Sequence, residues 1–140
     1  MWNINAALDH LQASAKPKST ERCGQYVREA IEAGGVTLVR QNSAKDYGTS
    51  LIQAGFVPVH LNLLLQSPIF LDFSLSSDCP FKSGDVAVFE GTDAIPGGEN
   101  GHMQMFDGTH WISDFVQSSF SPASVFNGVK VKIYRHRDFV

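Results

Sequence analysis

Two cysteines among 140 residues, far apart at Cys23 and Cys79, are too few for a disulfide framework and match no Cys-x-x-Cys metal spacing. A bridge between them is not excluded, but nothing in the pattern requires one. Basic runs are also missing. With 11 Lys and Arg against 14 Asp and Glu and a net charge of −3, the chain has no electrostatic footprint for nucleic acid or for an anionic membrane surface. No hydrophobic run is long enough to span a bilayer, so membrane insertion is not expected. The first ten residues lack a basic start, a sustained apolar stretch and a small-residue cleavage site, so they are not read as a Sec-type signal peptide. If the protein acts outside the cell that makes it, another route must carry it. Repeats, linkers and low-complexity segments are absent too, which leaves one domain over residues 1–140, long enough to bury a core without staples. No metal or cofactor motif is present, and a monomer is expected.

What is there centres on Ser19 to Gly35. Cys23, Tyr26, Val27, Ala30 and Ile31 recur at three- and four-residue spacing, and Arg28, Glu29 and Glu32 point elsewhere, which reads as an amphipathic helix. Ser19 or Thr20 is available as N-cap, Glu21 suits the positive helix start, and Gly34-Gly35 supplies a left-handed exit. Cys23 therefore lies in the first turn, at the solvent end of the face that packs inward. Free N–H groups there favour a thiolate, but only in part. Bringing a thiol from ~8.5 to the ~3–4 of a papain-type site takes roughly 7 kcal/mol, and a helix dipole rarely supplies more than ~2. An imidazolium must provide the rest. The plain alternative is a small buried apolar cysteine with no chemistry.

Elsewhere the pattern predicts helices first and then a sheet. Ile4, Ala7, Leu8, Leu11 and Ala15 have helical spacing ended by Pro17, and Ala44, Tyr47, Leu51 and Ala54 mark another helix with Ser43 as cap and Gly55 as stop. Between Phe56 and Ser83 the apolar residues have no clean period, although Ile69, Leu71, Phe73 and Leu75 alternate as a strand would. Asp85 to Glu90 reads as a core strand, Gly91 to Gly101 as an exposed loop, and His102 to Phe106 and His110 to Phe115 as strand-like runs around Asp107-Gly108. Val129 to Tyr134 alternates strictly as a last strand.

A base for Cys23 must come from one of five histidines. His102 opens a strand right after a glycine-rich loop, which places its ring at a sheet edge, and Asp114 follows twelve residues later as a carboxylate to orient it. His110 is the weaker alternative because it lies near the turn, while His10, His60 and His136 read as surface or packing residues. Asp85, Glu90, Asp107 and Asn100 also remain open as orienting groups. The register is decisive for Asp114. A two-residue Asp107-Gly108 loop would put His102 and Asp114 on opposite faces, whereas a three-residue or bulged turn puts both on one face, so an odd loop is expected. Trp111 and Phe115 read as core, with the groove as their alternative place.

Three motifs in this order, Arg22-Cys-Gly-Gln-Tyr-Val-Arg28, Gly84-Asp-Val-Ala-Val-Phe89 and Gly101-His-Met-Gln-Met-Phe-Asp-Gly-Thr-His-Trp-Ile-Ser-Asp-Phe115, resemble the papain-like cysteine amidases of the NlpC and CHAP groups. The first and last are similar to those of small single-domain amidase toxins delivered by type VI secretion. The resemblance implies an α+β, papain-like fold with N-terminal helices packed on an antiparallel β-sheet, and a triad of nucleophile Cys23, base His102 and orienting Asp114. It departs from NlpC-like members in having Asp114 where they often carry a second histidine, and in having no tyrosine upstream of Cys23 to help bind an oxyanion. The Cys23 backbone N–H is the donor that remains.

The implied activity is hydrolysis of an amide in a peptidoglycan stem peptide, such as that between D-glutamate and diaminopimelate, without metal or cofactor. The implied setting is a toxin made in the bacterial cytoplasm, secreted by a type VI system into a target cell's periplasm, and neutralised by a cognate immunity protein. A phage-type lysis amidase, a non-catalytic peptide-binding or partner-binding module, and a protein deamidase on the same fold are the alternatives.

Overall fold

The computed structural model describes residues 1–59, 80–93, 98–123, 126 and 129–139. The alternating run from Ile69 to Leu75, His60 and Cys79 lie outside the described residues.

Helix α1 spans Ile4–Ser14 and is capped by Asn3, whose side chain accepts the Ala6 N–H at 2.9 Å. Ala7, Leu8 and Leu11 form its buried face, as the spacing predicts. Helix α2 spans Cys23–Ala33 and buries Gly24, Val27, Ala30 and Ile31. Gly35, at φ +93°, makes the left-handed exit that the Gly-Gly pair announces. The start differs from expectation. Ser19 and Thr20 stand before the helix, the N-cap position is Arg22 with no side-chain cap bond, and Glu21 has φ +62° outside the helix. A short 3₁₀ turn, Ala44–Asp46, leads into α3, Tyr47–Gln53. Ser43 does not cap it but hydrogen-bonds Asn100 at 2.9 Å.

Five strands, β1 Phe56–Val59, β2 Val86–Phe89, β3 His102–Phe106, β4 Trp111–Ile112 and β5 Val131–His136, form one antiparallel sheet in the order β1-β5-β2-β3-β4. The architecture is α+β and papain-like, as expected. Because β5 lies inside the sheet between β1 and β2, its alternation is lost after Ile133, where Tyr134, Arg135 and His136 are all buried. One sheet face, with Val86, Val88, Met103, Met105, Ile112 and Tyr134, packs under the helices. The other, with Ala87, Phe89, Phe106 and Trp111, packs against Phe81, Phe120 and Phe126. His136 is a packing residue, its ring 6.0 Å from Trp2 and 5.4 Å from Phe56.

The β3–β4 hairpin corrects one expectation. Phe106 pairs with Trp111 and Met105 with Ile112, so four residues, Asp107 to His110, form the loop. Asp107 Oδ1 accepts the Thr109 and His110 N–H groups at 2.8 and 2.5 Å, an Asx turn that closes the loop with Gly108 at φ +101°. An even loop pairs positions of opposite parity, which puts Ile112 on the face opposite to His102, and Asp114 lies beyond this two-residue strand in the bend where the chain turns back.

Candidate active site

Cys23 is the first residue of α2 and partly exposed, and His102 is the first residue of β3. Both line a cleft of ≈ 530 Å³ whose walls include the α2 start, the Arg40–Tyr47 segment, the Gly98–His102 turn and Phe115, Pro122, Ala123 and Phe126. Strand β4 pairs only with Met105 and Phe106, leaving the beginning of β3 open on that side. The sulfur lies there, where the Met103, Cys23 and Gly24 backbone N–H groups favour its negative form.

Packing brings the two elements together. Gly24 sits tightly against Ala44 and Tyr47, with room for a Cβ only 3.3 Å from the Tyr47 ring. The segment entering α2 is tied to the segment leaving β4, with Lys16 N donating to Asp114 O at 2.7 Å. Gly101, at φ +74°, turns the chain into β3 so closely that a Cβ would fall 2.4 Å from Phe89 O. Only glycine fits that turn, and it aims His102.

Asp114 does not reach the ring. Its Oδ2 accepts the Thr20 N–H at 2.6 Å, the Arg22 N–H at 3.1 Å, the Thr20 hydroxyl at 3.0 Å and the Ser19 hydroxyl at 3.3 Å. These bonds outweigh the cost of burial and hold its carboxyl below the usual range. Ser19 and Thr20, expected as helix caps, are instead ligands of this carboxylate. Asp114 thus fixes the chain that leads to Cys23.

Gln117 is the residue that meets His102, with Nε2···Oε1 at 2.9 Å in a buried pair. Its amide orientation is set from behind, because Gln117 Nε2 donates to Ser119 O at 3.1 Å and to Phe120 O at 3.2 Å. The carbonyl must then face the ring, so His102 carries its proton on Nε2 and keeps its lone pair on Nδ1. Sequence reasoning missed Gln117. The chain doubles back after β4, with Gln117 N donating to Trp111 O at 2.9 Å, and no local spacing signals that return. Gln104 is buried beside the ring as well, and its Oε1 has no hydrogen-bond partner among the described residues although its amide also favours the charged imidazole. Phe89 and Phe126 pack on the ring at 5.7 and 5.9 Å.

Burial dominates the electrostatics. It pushes the Cys23 thiol up to about 11, beyond what the three N–H groups return, and the Asp114 charge raises it further. It also pushes His102 down to about 4, against the bonds from Gln117 and the attraction of Asp114. Both shifts disfavour the thiolate–imidazolium pair that a papain-type site would hold. No hydrogen bond joins Sγ to the ring.

The other sequence candidates are engaged elsewhere. Asp85 forms a bidentate pair with Arg135, both contacts at 2.7 Å, and Asn100 is held by Ser43. Asp107 serves its own turn, and His10 and His110 are exposed. Trp111 is core, whereas Phe115 lines the cleft. Among the described residues no cluster of His, Cys, Asp and Glu could hold a metal.

Among solved structures, two crystal structures of the type VI effector–immunity complex Tae3–Tai3 from Ralstonia pickettii are similar to this chain. In the native complex the matched chain is 36% identical, with 97% of this chain and 100% of that chain covered and a TM-score of 0.77. The chain belongs to the Tae3 family of type VI effectors. The selenomethionine form of the same complex matches at 38% identity over 92% of this chain and 98% of that one, with a TM-score of 0.71. No protein-family model and no curated protein sequence matches the chain.

Proposed function

We propose that this Tae3-family effector is a cysteine amidase that hydrolyses an amide in the peptidoglycan stem peptide, acting as an antibacterial toxin. The observation that carries the reading is the shared cleft, with a helix-start thiol and an imidazole whose tautomer is fixed by a buried amide. The ordered cysteine, Gly-Asp and Gly-His motifs support a place among the NlpC and CHAP type amidases.

In the proposed reaction, His102 Nδ1 takes the Cys23 proton as sulfur attacks the amide carbon, so the ion pair forms only with substrate in place. The N–H groups at the α2 start stabilise the oxyanion. The imidazolium then gives its proton to the leaving amine as the C–N bond breaks. Water, deprotonated by His102, hydrolyses the thioester and restores the thiol. Gln117 holds the ring in the required tautomer. Asp114 acts on the geometry of the nucleophile and, through its charge, favours the imidazolium.

Secretion into a competitor's periplasm, where the wall lies, and occlusion of the cleft by a cognate immunity protein complete the proposal. The solved relatives support the partner, because both are effector–immunity complexes. Digestion of purified cell wall followed by mass analysis tests the activity. New free amines within the stem peptide are expected, and walls of several chemotypes left intact would reject the reading.

A further inference from the structure

Gln104 is an amide at a position where the sheet would accept an apolar side chain. It shares a face of β3 with His102 and Phe106, is fully buried, and lies opposite Ala87 of β2, on the side of the sheet that packs against Phe81, Phe120 and Phe126. Its Nε2 donates to Phe120 O at 2.8 Å. The same carbonyl accepts the Gln117 Nε2 at 3.2 Å, so one acceptor anchors both amides. With its Nε2 committed there, Gln104 keeps an Oε1 that has no hydrogen-bond donor among the described residues. A buried acceptor without a donor lowers stability and calls for a role. That oxygen belongs to an amide that favours the charged form of the His102 ring, two residues away on the same strand face.

We propose that Gln104 is a second positioning residue for His102, its Oε1 serving as an acceptor reserved for the imidazolium that forms during turnover. The inference rests on the amidase reading and adds to it a residue that touches neither substrate nor sulfur. Gln117 holds the ring through one N–H and one carbonyl. When His102 takes the thiol proton at Nδ1, positive charge spreads over both ring nitrogens and the Nε2–H becomes a stronger donor. Two carbonyl dipoles anchored on one Phe120 oxygen then stabilise that charge more than one does, without the permanent charge that a carboxylate would bury. Asp114 acts on the ring through its charge alone, because Ser19, Thr20 and Arg22 hold its oxygen.

The test reads the ring apart from turnover. Full chains carrying Cys23→Ala and nitrogen-15 histidine are titrated with Gln104, Gln104→Met or Gln104→Glu, each shown folded by thermal melting. Gln104→Glu sets a carboxyl where the unpaired oxygen stands and should raise the midpoint of His102 protonation by about one unit or more. Gln104→Met, apolar and of similar length, should lower the midpoint and leave the ring protonated on Nε2 at neutral pH, because Gln117 keeps the tautomer. With Cys23 intact, Gln104→Met should reduce kcat on purified wall by at least about tenfold, as loss of a bond to a charged group does, and leave KM unchanged. An unmoved midpoint in Gln104→Glu overturns the proposal, even where Gln104→Met fails to fold. A Gln104→Met chain that keeps the wild-type kcat, or loses activity through KM alone, overturns it as well. Shifted midpoints in a chain that digests no wall keep Gln104 at the ring and reject the amidase.

Discussion

His102 Nε2 pairs with Gln117 Oε1 at 2.9 Å, and Asp114, the expected partner, makes no hydrogen bond to the ring. Strand β4 ends at Ile112, and in the bend that follows the Asp114 carboxylate finds four donors in Ser19, Thr20 and Arg22 instead. One acid therefore holds the chain entering Cys23 while a neutral amide holds the His102 ring.

Replacing Gln117 with leucine should lower kcat by about 10²-fold or more with little change in KM, because the base nitrogen is no longer fixed. A purely structural role would not move the tautomer. Nitrogen-15 spectra of the His102 ring at neutral pH should show a protonated Nε2 in the wild type and a mixture in Gln117→Leu. An unchanged ring spectrum would remove Gln117 from the mechanism.

Asp114→Asn keeps the shape of the side chain but removes the charge that four donors share. Stability should fall by about 1–3 kcal/mol, read as a shift in the urea midpoint. The rate should fall as well, since the chain entering Cys23 loosens. Wild-type stability in this variant would show that the four bonds contribute little.

The buried histidine sets an acid limit on folding. His102 titrates near 6.5 when unfolded and at about 4 when folded, so between these values the unfolded chain binds more protons and stability falls as pH drops. The loss by pH 4 is roughly 3 kcal/mol. Asp114 acts in the same direction, its contribution present above the unfolded carboxylate value and lost as pH falls through the depressed folded one. Urea midpoints from pH 7 to 4 should decline less steeply for His102→Asn than for the wild type. Parallel curves would contradict a neutral buried ring.

Thiol reactivity separates a neutral resting pair from an ion pair. Alkylation of the Cys23 peptide by iodoacetamide should be slow at neutral pH and keep rising towards pH 11, following the thiol's raised value of about 11. A rate already at its plateau in mild acid would mean that a thiolate and an imidazolium stand ready before substrate arrives.

How much of this was legible in the sequence depended on range. The α2 stripe from Cys23 to Ile31, the exit at Gly35 and the opening of β3 at His102 are local, so spacing alone revealed them. The partner of the ring was not local. It turned on the end of β4 at Ile112, before Asp114, and on the return of the chain to Trp111 that delivers Gln117. The thiol's raised value depends on burial by residues distant in sequence, which a helix-start argument cannot weigh.

Amine release from purified walls by the wild type and by Cys23→Ala, at equal concentration and with both proteins shown to be folded, is the most direct measurement. The substitution should reduce the rate by at least about 10⁴-fold, as loss of a covalent nucleophile does. Release by Cys23→Ala at a rate near that of the wild type would contradict the assignment of Cys23 as the attacking group.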